Sequence, residues 1–114
     1  MTADYGAVVT RGEVWVAEEG RQILGMLVLS AEPDHLLVEN VAVVPSAQGR
    51  GVGNALMRLA EDRAAACGLD ELRLHTNVAM TENLRYYPRR GYVETHRRGE
   101  GGFQRVFFRK RISN

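Results

Sequence analysis

Gln48, Gly49, Arg50, Gly51, Val52, Gly53 and Asn54 form the run with the clearest chemical potential in this 114-residue chain. Glycines at three of five successive positions let the backbone turn sharply and approach a ligand with no Cβ in the way. A helical pattern follows, so the first N–H groups of that helix have no intrahelical acceptor, and the helix dipole adds about half a positive charge there. The chemistry is that of an anion cradle, suited above all to a pyrophosphate. Two common phosphate loops are excluded by spacing. The run closes on Gly53, Asn54 and Ala55, without the Lys and Ser/Thr that end a Walker loop. A dinucleotide fingerprint would need its third glycine at position 54, and the next strand candidate, 71–76, does not end in an acid.

Hydrophobic periodicity supplies the elements that must position this run. Residues 14–18 alternate around Trp15, Gly20 supplies a turn, and 22–29 run on as apolar strand, which together read as a hairpin. Pro33 and Asp34 mark the next turn, and 35–44 form a long third strand ended by Pro45 and Ser46. Residues 51–67 predict the best helix, with Val52, Leu56, Leu59 and Ala60 on one face and Gly68 as its stop. A short strand over 72–76, a helix from 81 to about 90 and a hairpin of 92–97 with 103–109 complete the chain. Pro88 removes the helical hydrogen bond to the Leu84 carbonyl, at a cost of ~3 kcal/mol, so the second helix is expected to be short and bent or irregular near Leu84. The third strand, long helix and short strand make a right-handed parallel crossover, so the fold is α/β with a mixed sheet.

Composition fits one domain over residues 1–114: 45% of residues are hydrophobic and 25% charged. No apolar run approaches the ~20 residues needed to span a bilayer, and the first residues lack a signal-peptide pattern, so the expectation is a cytoplasmic protein with no membrane partner. The only cysteine, Cys67, allows no internal disulfide and reads as a small helix residue without a chemical role. No metal is expected. Charge is unevenly spread, with six Arg against twelve Asp and Glu up to Glu82, then eight Arg and one Lys against two Glu. The basic end reads as a solvated hairpin face rather than a nucleic-acid surface, since it lacks an RNA-binding aromatic motif.

Gln48, Gly51 and Gly53 also fill a pattern of Gln or Arg, two residues, Gly, one residue, and Gly or Ala. This resembles the acyl-CoA signature of the GCN5-related N-acetyltransferase (GNAT) family. Val41, Ala42, Val43, Val44 and Pro45 are like the family's central strand before its loop, and Tyr87, Gly91 and Tyr92 match its pattern of Tyr, three residues, Gly and an aromatic. The resemblance covers about 15–112. It implies a GNAT acyl-CoA N-acyltransferase fold, a mostly antiparallel sheet splayed at a central parallel pair, with helices on both faces and the thioester in the split. It implies an N-acetyltransferase that takes acetyl-CoA as co-substrate and passes the acetyl group to a primary amine by direct attack in a ternary complex. The residues implied to contact CoA are Val41, Ala42, Val43, Gln48, Gly49, Arg50, Gly51, Val52, Gly53, Asn54 and Asn83, and some C-terminal arginines are further candidates for its phosphates. A non-catalytic acyl-CoA-binding module is the alternative.

Within that resemblance Tyr87 is the candidate general acid, because a phenol is protonated at neutral pH and can return a proton to a thiolate. Tyr86, about 100° away around the helix, is expected to be a core aromatic. Glu39 is the candidate general base. By the two-residue period it shares a side with Val41 and Val43, and it could act through a water or bind a cationic acceptor; its other reading is a solvent-facing charge or a partner of Arg73. His75 is the alternative base. Three departures stand out. Met80 occupies the position of the usual family asparagine, so Asn83 or Asn77 takes its contact; Pro88 follows the tyrosine; and only residues 1–12 precede the first strand, where relatives carry a strand and two helices lining the acceptor site. Residues 2–9 read as a remnant of the second helix, with the rest truncated or supplied by a partner, which makes a homodimer an expectation. The acceptor can be a small-molecule or peptide amine.

Overall fold

Alternating apolar residues build one sheet, and two glycine-terminated helices pack on it. The computed structural model describes residues 12–112 and the strand positions 3, 4, 8 and 9, with side chains described at 13–99 and 101–112. The strands are β1 (Ala3–Asp4), β2 (Val8–Val9), β3 (Gly12–Glu19), β4 (Gln22–Ala31), β5 (Leu36–Val43), β6 (Glu71–Asn77), β7 (Val93–Glu100) and β8 (Phe103–Arg111). Helix α1 (Val52–Ala66) lies between β5 and β6, preceded by a 3-10 turn at Pro45–Ala47, and α2 (Thr81–Arg89) between β6 and β7. The sheet order is β1-β3-β4-β5-β6-β8-β7, with β2 also paired to β3. Among the described residues only β5 and β6 run parallel, and they pair at just two positions, Leu36 with Leu72 and Leu37 with Arg73. Past that point β5 separates from β6, and the sheet splays where the family resemblance implied.

Leu27, Leu29, Leu36, Val38, Leu72, Leu74, Val106 and Phe108 turn one face of the sheet into the core, against Val52, Leu56, Met57, Ala60 and Ala64 of α1. Burying each such side chain contributes roughly 1.5–3 kcal/mol. Close packing reaches its limit at Gly25 of β4, where a Cβ would sit 2.7 Å from the Ala42 carbonyl oxygen and 3.1 Å from Leu56 Cδ1. Helix α2 joins the same side through Tyr87, whose ring lies 5.6 Å from that of Phe108. Both described helices thus cover one face, and the helix layer expected on the other face is not among the described residues.

The two helices end alike. After α1, Gly68 takes φ +75°, Leu69 N–H donates to Ala64 O at 2.9 Å and Gly68 N–H to Ala65 O at 3.0 Å. After α2, Gly91 takes φ +98°, Tyr92 N–H donates to Tyr87 O at 2.9 Å and Gly91 N–H to Pro88 O at 3.0 Å. Both are Schellman closures, which need a left-handed residue that glycine adopts without strain. Pro88 is tolerated in the last turn of α2, where few helical bonds remain to lose.

Residues 2–9 do not form the expected helical remnant at their described positions. Ala3 and Asp4 pair with Ala17 and Val16, and Val8 and Val9 with Glu13 and Gly12. The reason is the edge of β3: its unpaired main-chain groups accept a strand, and β-branched Val8 and Val9 favour one, whereas so short a helix nucleates poorly. Residues 2 and 5–7 lie outside the described residues.

Candidate functional site

The glycine run becomes an open turn at the start of α1. Gly49 and Gly51 take φ +82° and +84°, and a Cβ on either would meet nothing within 4 Å. The first helical bond is donated by Ala55 N–H to Gly51 O at 3.1 Å, so Val52, Gly53 and Asn54 direct N–H groups outward without helical acceptors. No side chain caps this end and no acid occupies its first turn, which leaves it positive. Arg50 extends from the turn to Glu19 of β3, 2.9 Å away, with both side chains exposed. Gln48 donates its amide to the Val43 carbonyl at 3.4 Å and so ties the turn to the end of β5. A cavity of about 350 Å³ borders the turn, lined by Gly51, Asn54, Arg58 and Asp62 among others.

The edge of β5 facing the split follows from its ladder. Val44 N–H donates to Leu24 O at 2.9 Å, and in an antiparallel pair such bonded positions alternate with ones whose main-chain groups point outward. Val43 opposite Gly25 and Val41 opposite Leu27 therefore turn N–H and C=O away from β4, into the opening beside β6. Ala42, between them, bonds back to β4, and its small side chain is exposed on the face away from α1.

Glu39 departs from expectation. Val28 pairs with Asn40 and Leu29 with Val38, so Glu39 is the extra residue of a bulge. One inserted residue reverses the two-residue alternation. Leu36 and Val38 point into the core before it, Val41 and Val43 pack against the core after it, and Glu39 and Asn40 are both exposed. Glu39 thus lies opposite Val41 and Val43, on the face away from both described helices. It does not pair with Arg73, whose guanidinium is held by Glu71 and Asp34.

The two tyrosines of α2 exchange their expected surroundings. Tyr87 is the core residue, 5% exposed, with its ring 5.6 Å from Tyr92 and 5.6 Å from Phe108. Burial pushes its phenol up to about 12, with a smaller contribution from Tyr86. Tyr86 is half-buried and reaches the glycine turn, donating its hydroxyl to Asn54 Oδ1 at 2.6 Å. The closure at Gly91 explains the tyrosine spacing: it bonds Tyr92 N–H to Tyr87 O and brings the two rings together. Asn83 donates to the Thr76 hydroxyl at 3.1 Å, which fixes α2 to β6 beside the split. Asn77 Oδ1 accepts from Ala79 N–H at 2.8 Å and is engaged in the turn, while Met80 is exposed.

The structure therefore joins the end of β5 to the glycine turn through Gln48, and Tyr86 of α2 meets the turn at Asn54, whereas Tyr87 sits among core aromatics and Asn83 on Thr76. His75 stands on the opposite face, its ring 5.4 Å from Phe107. Sequence reasoning missed the Tyr86–Asn54 bond and the meeting of His75 with His96 around Phe107; only the alternation of Arg73 and His75 in β6 hinted at a polar face there.

Comparison with known proteins agrees with this geometry. The chain matches the family model described as Acetyltransferase (GNAT) family over residues 3–92. It is 31% identical over 59 residues to an aminoalkylphosphonate N-acetyltransferase of Salmonella typhimurium, covering 52% of this chain and 38% of that protein. It is 30% identical over 70 residues to an IAA acetyltransferase of Azospirillum brasilense, covering 61% and 46%. The chain thus spans less than half the length of these two relatives. In fold it is similar to a GNAT family acetyltransferase from Elizabethkingia anophelis with acetyl-CoA bound, with a TM-score of 0.79 at 20% identity over 90% of this chain and 77% of that one. With a splayed sheet, an open glycine turn and a family match over most of its length, this chain belongs to the GNAT acetyltransferase family.

Proposed function

We propose that the chain transfers an acetyl group from acetyl-CoA to a primary amine by direct attack in a ternary complex. The observation that carries this reading is the unbroken path from the open glycine turn to the outward main-chain groups of Val41 and Val43. The residues present fit the co-substrate, since Cβ atoms are missing where phosphate oxygens would approach and the N–H groups behind them have no helical acceptor. Acetyl-CoA, when bound, supplies an acetyl group activated as a thioester.

The main chain of Gln48, Gly49, Arg50, Gly51, Val52, Gly53 and Asn54 holds the phosphates, and Arg50 adds a guanidinium. Val41, Ala42 and Val43 line the pantetheine arm, and an outward N–H serves the acyl oxygen as it gains charge. Asn83, anchored to Thr76, keeps its amide oxygen for the same arm. Tyr87 retains its proton throughout the neutral range, because burial holds the phenol at about 12, and donates it towards the departing sulfur. Glu39, exposed at the bulge, takes the proton of the acceptor ammonium through a water. The relatives named for an aminoalkylphosphonate and for IAA favour a small-molecule acceptor over a peptide. No described helix is long and apolar enough to cross a membrane. A cytoplasmic location and a homodimer complete the reading.

Calorimetric titration with acetyl-CoA tests it, using the native chain, Gly51→Glu and Gly53→Glu; the second places the carboxylate at an unstrained helical position. Binding by the native chain and its loss in both folded variants is expected. A native chain that does not bind overturns the reading, and binding without turnover across a broad amine panel replaces it with a non-catalytic acyl-CoA-binding module.

A further inference from the structure

The face of the sheet away from both described helices carries a cavity of about 470 Å³ over β6, β7 and β8, and its lining is cationic. The two-residue period of β6 sends Arg73 and His75 to that face, and the ladder sets Arg109 opposite Arg73 and Phe107 opposite His75. A bulge at Thr95 brings His96 opposite the same Phe107. The His96 ring lies parallel to Phe107 at 4.3 Å, and the Arg98 guanidinium sits 5.0 Å from the Phe107 centroid.

Among the described residues, Arg109 of this face has no acid partner. Arg73 faces Arg109 across one strand pair and Arg98 faces Arg105 across the next, and like charges directly opposite oppose pairing. Asp34 and Glu71 hold Arg73, but neither pairs with Arg109 among the described residues. In a concave site such charges reinforce one another. The cavity also adjoins the split, since Leu37, the last residue of β5 paired with β6, forms part of its wall.

We propose that this cavity binds an anionic group, carboxylate or phosphonate, carried by the acceptor amine. Arg109 takes its oxygens, with Arg98 stacked on Phe107 beside it, and Phe107 with the two imidazoles supplies the platform against which the ligand lies. The size suits a small molecule rather than a polyanion. The proposal rests on the acetyl-transfer reading and names the substrate class of that site.

The test compares three acceptors of equal chain length at saturating acetyl-CoA: an aminoalkylcarboxylate, an aminoalkylphosphonate and the alkylamine. The native chain is expected to favour at least one anionic acceptor in kcat/KM by roughly 10- to 100-fold, through KM, and the preferred anion distinguishes carboxylate from phosphonate. In Arg109→Gln that preference over the alkylamine collapses; Arg98→Gln serves if the first variant does not fold. A native chain that prefers the alkylamine, or a preference that survives both variants, overturns the proposal. If acetyl-CoA binds and no amine is acetylated, the transfer reading fails alone, and calorimetric titration with the two anionic amines decides the cavity. Binding weakened by Arg109→Gln upholds the anion site, and no binding to the native chain overturns it.

Discussion

Three described helix ends in this molecule are built on glycine at positive φ, and two of them, the start of α1 and the end of α2, do opposite things. At the start of α1, Gly49 and Gly51 leave N–H groups directed into open space with no capping side chain. At the end of α2, Gly91 closes the chain so that Tyr92 N–H and Gly91 N–H are both bonded and two tyrosine rings meet. The first end is unfinished as a piece of protein structure and suits a ligand. The second is finished, and its product is a fixed Tyr87. Glycine alone therefore does not mark a binding turn; what decides is whether the backbone groups it exposes are already satisfied.

Tyr87→Phe should break the link between the closed end and chemistry with the largest effect. Turnover is expected to fall by ~10²–10⁴, with acetyl-CoA affinity kept, in steady-state kinetics beside calorimetry. An unchanged rate across pH would remove Tyr87 from the mechanism.

The next effect is on stability. Because the folded phenol of Tyr87 is raised to about 12 while the unfolded one ionises near 10, its burial contributes fully below pH 10 and is lost as pH rises through about 12. Tyr92 is raised in the same direction by burial and by the Glu61 carboxylate. Urea unfolding between pH 9 and 12 should show stability falling by on the order of 2–3 kcal/mol from Tyr87 alone, a slope reduced in Tyr87→Phe.

Gly91→Ala should cost about 1–2 kcal/mol, from the left-handed backbone and from the Lys110 Cε that a Cβ would meet at 3.3 Å. Gly49→Ala meets open space and should show the backbone cost plus weaker acetyl-CoA binding. Thermal melts with and without acetyl-CoA separate the two ends: the ligand-induced rise in Tm should survive the first variant and shrink in the second. The smallest effect is Asn54→Ala, which removes the acceptor of Tyr86 and should cost about 0.5–1.5 kcal/mol by urea denaturation.

Much of this was legible in local pattern. Alternation located β3 to β8, the Pro45 break located the end of β5, and Gly68 and Gly91 located the helix stops. The candidate cofactor turn was legible for the same reason, because a backbone site is written in glycines and the helix after them. The candidate proton-transfer groups were less so. The bulge at Glu39 arises from the pairing of β5 with β4 and leaves no mark in β5 itself. The 100° between Tyr86 and Tyr87 said that their surroundings differ, but not which ring enters the core. That choice belongs to Tyr92, fixed by the closure after α2, and to Phe108, which arrives from β8.

By itself the sequence determined the family, the order of elements from β3 to β8 and the glycine turn, all consequences of neighbours along the chain. Only the tertiary structure decided which face Glu39 occupies, which tyrosine is buried and that both described helices share one side of the sheet. It also decided that arginines from three strands line one cavity. These depend on contacts between residues distant in sequence, and strand register and packing, rather than spacing along the chain, set them.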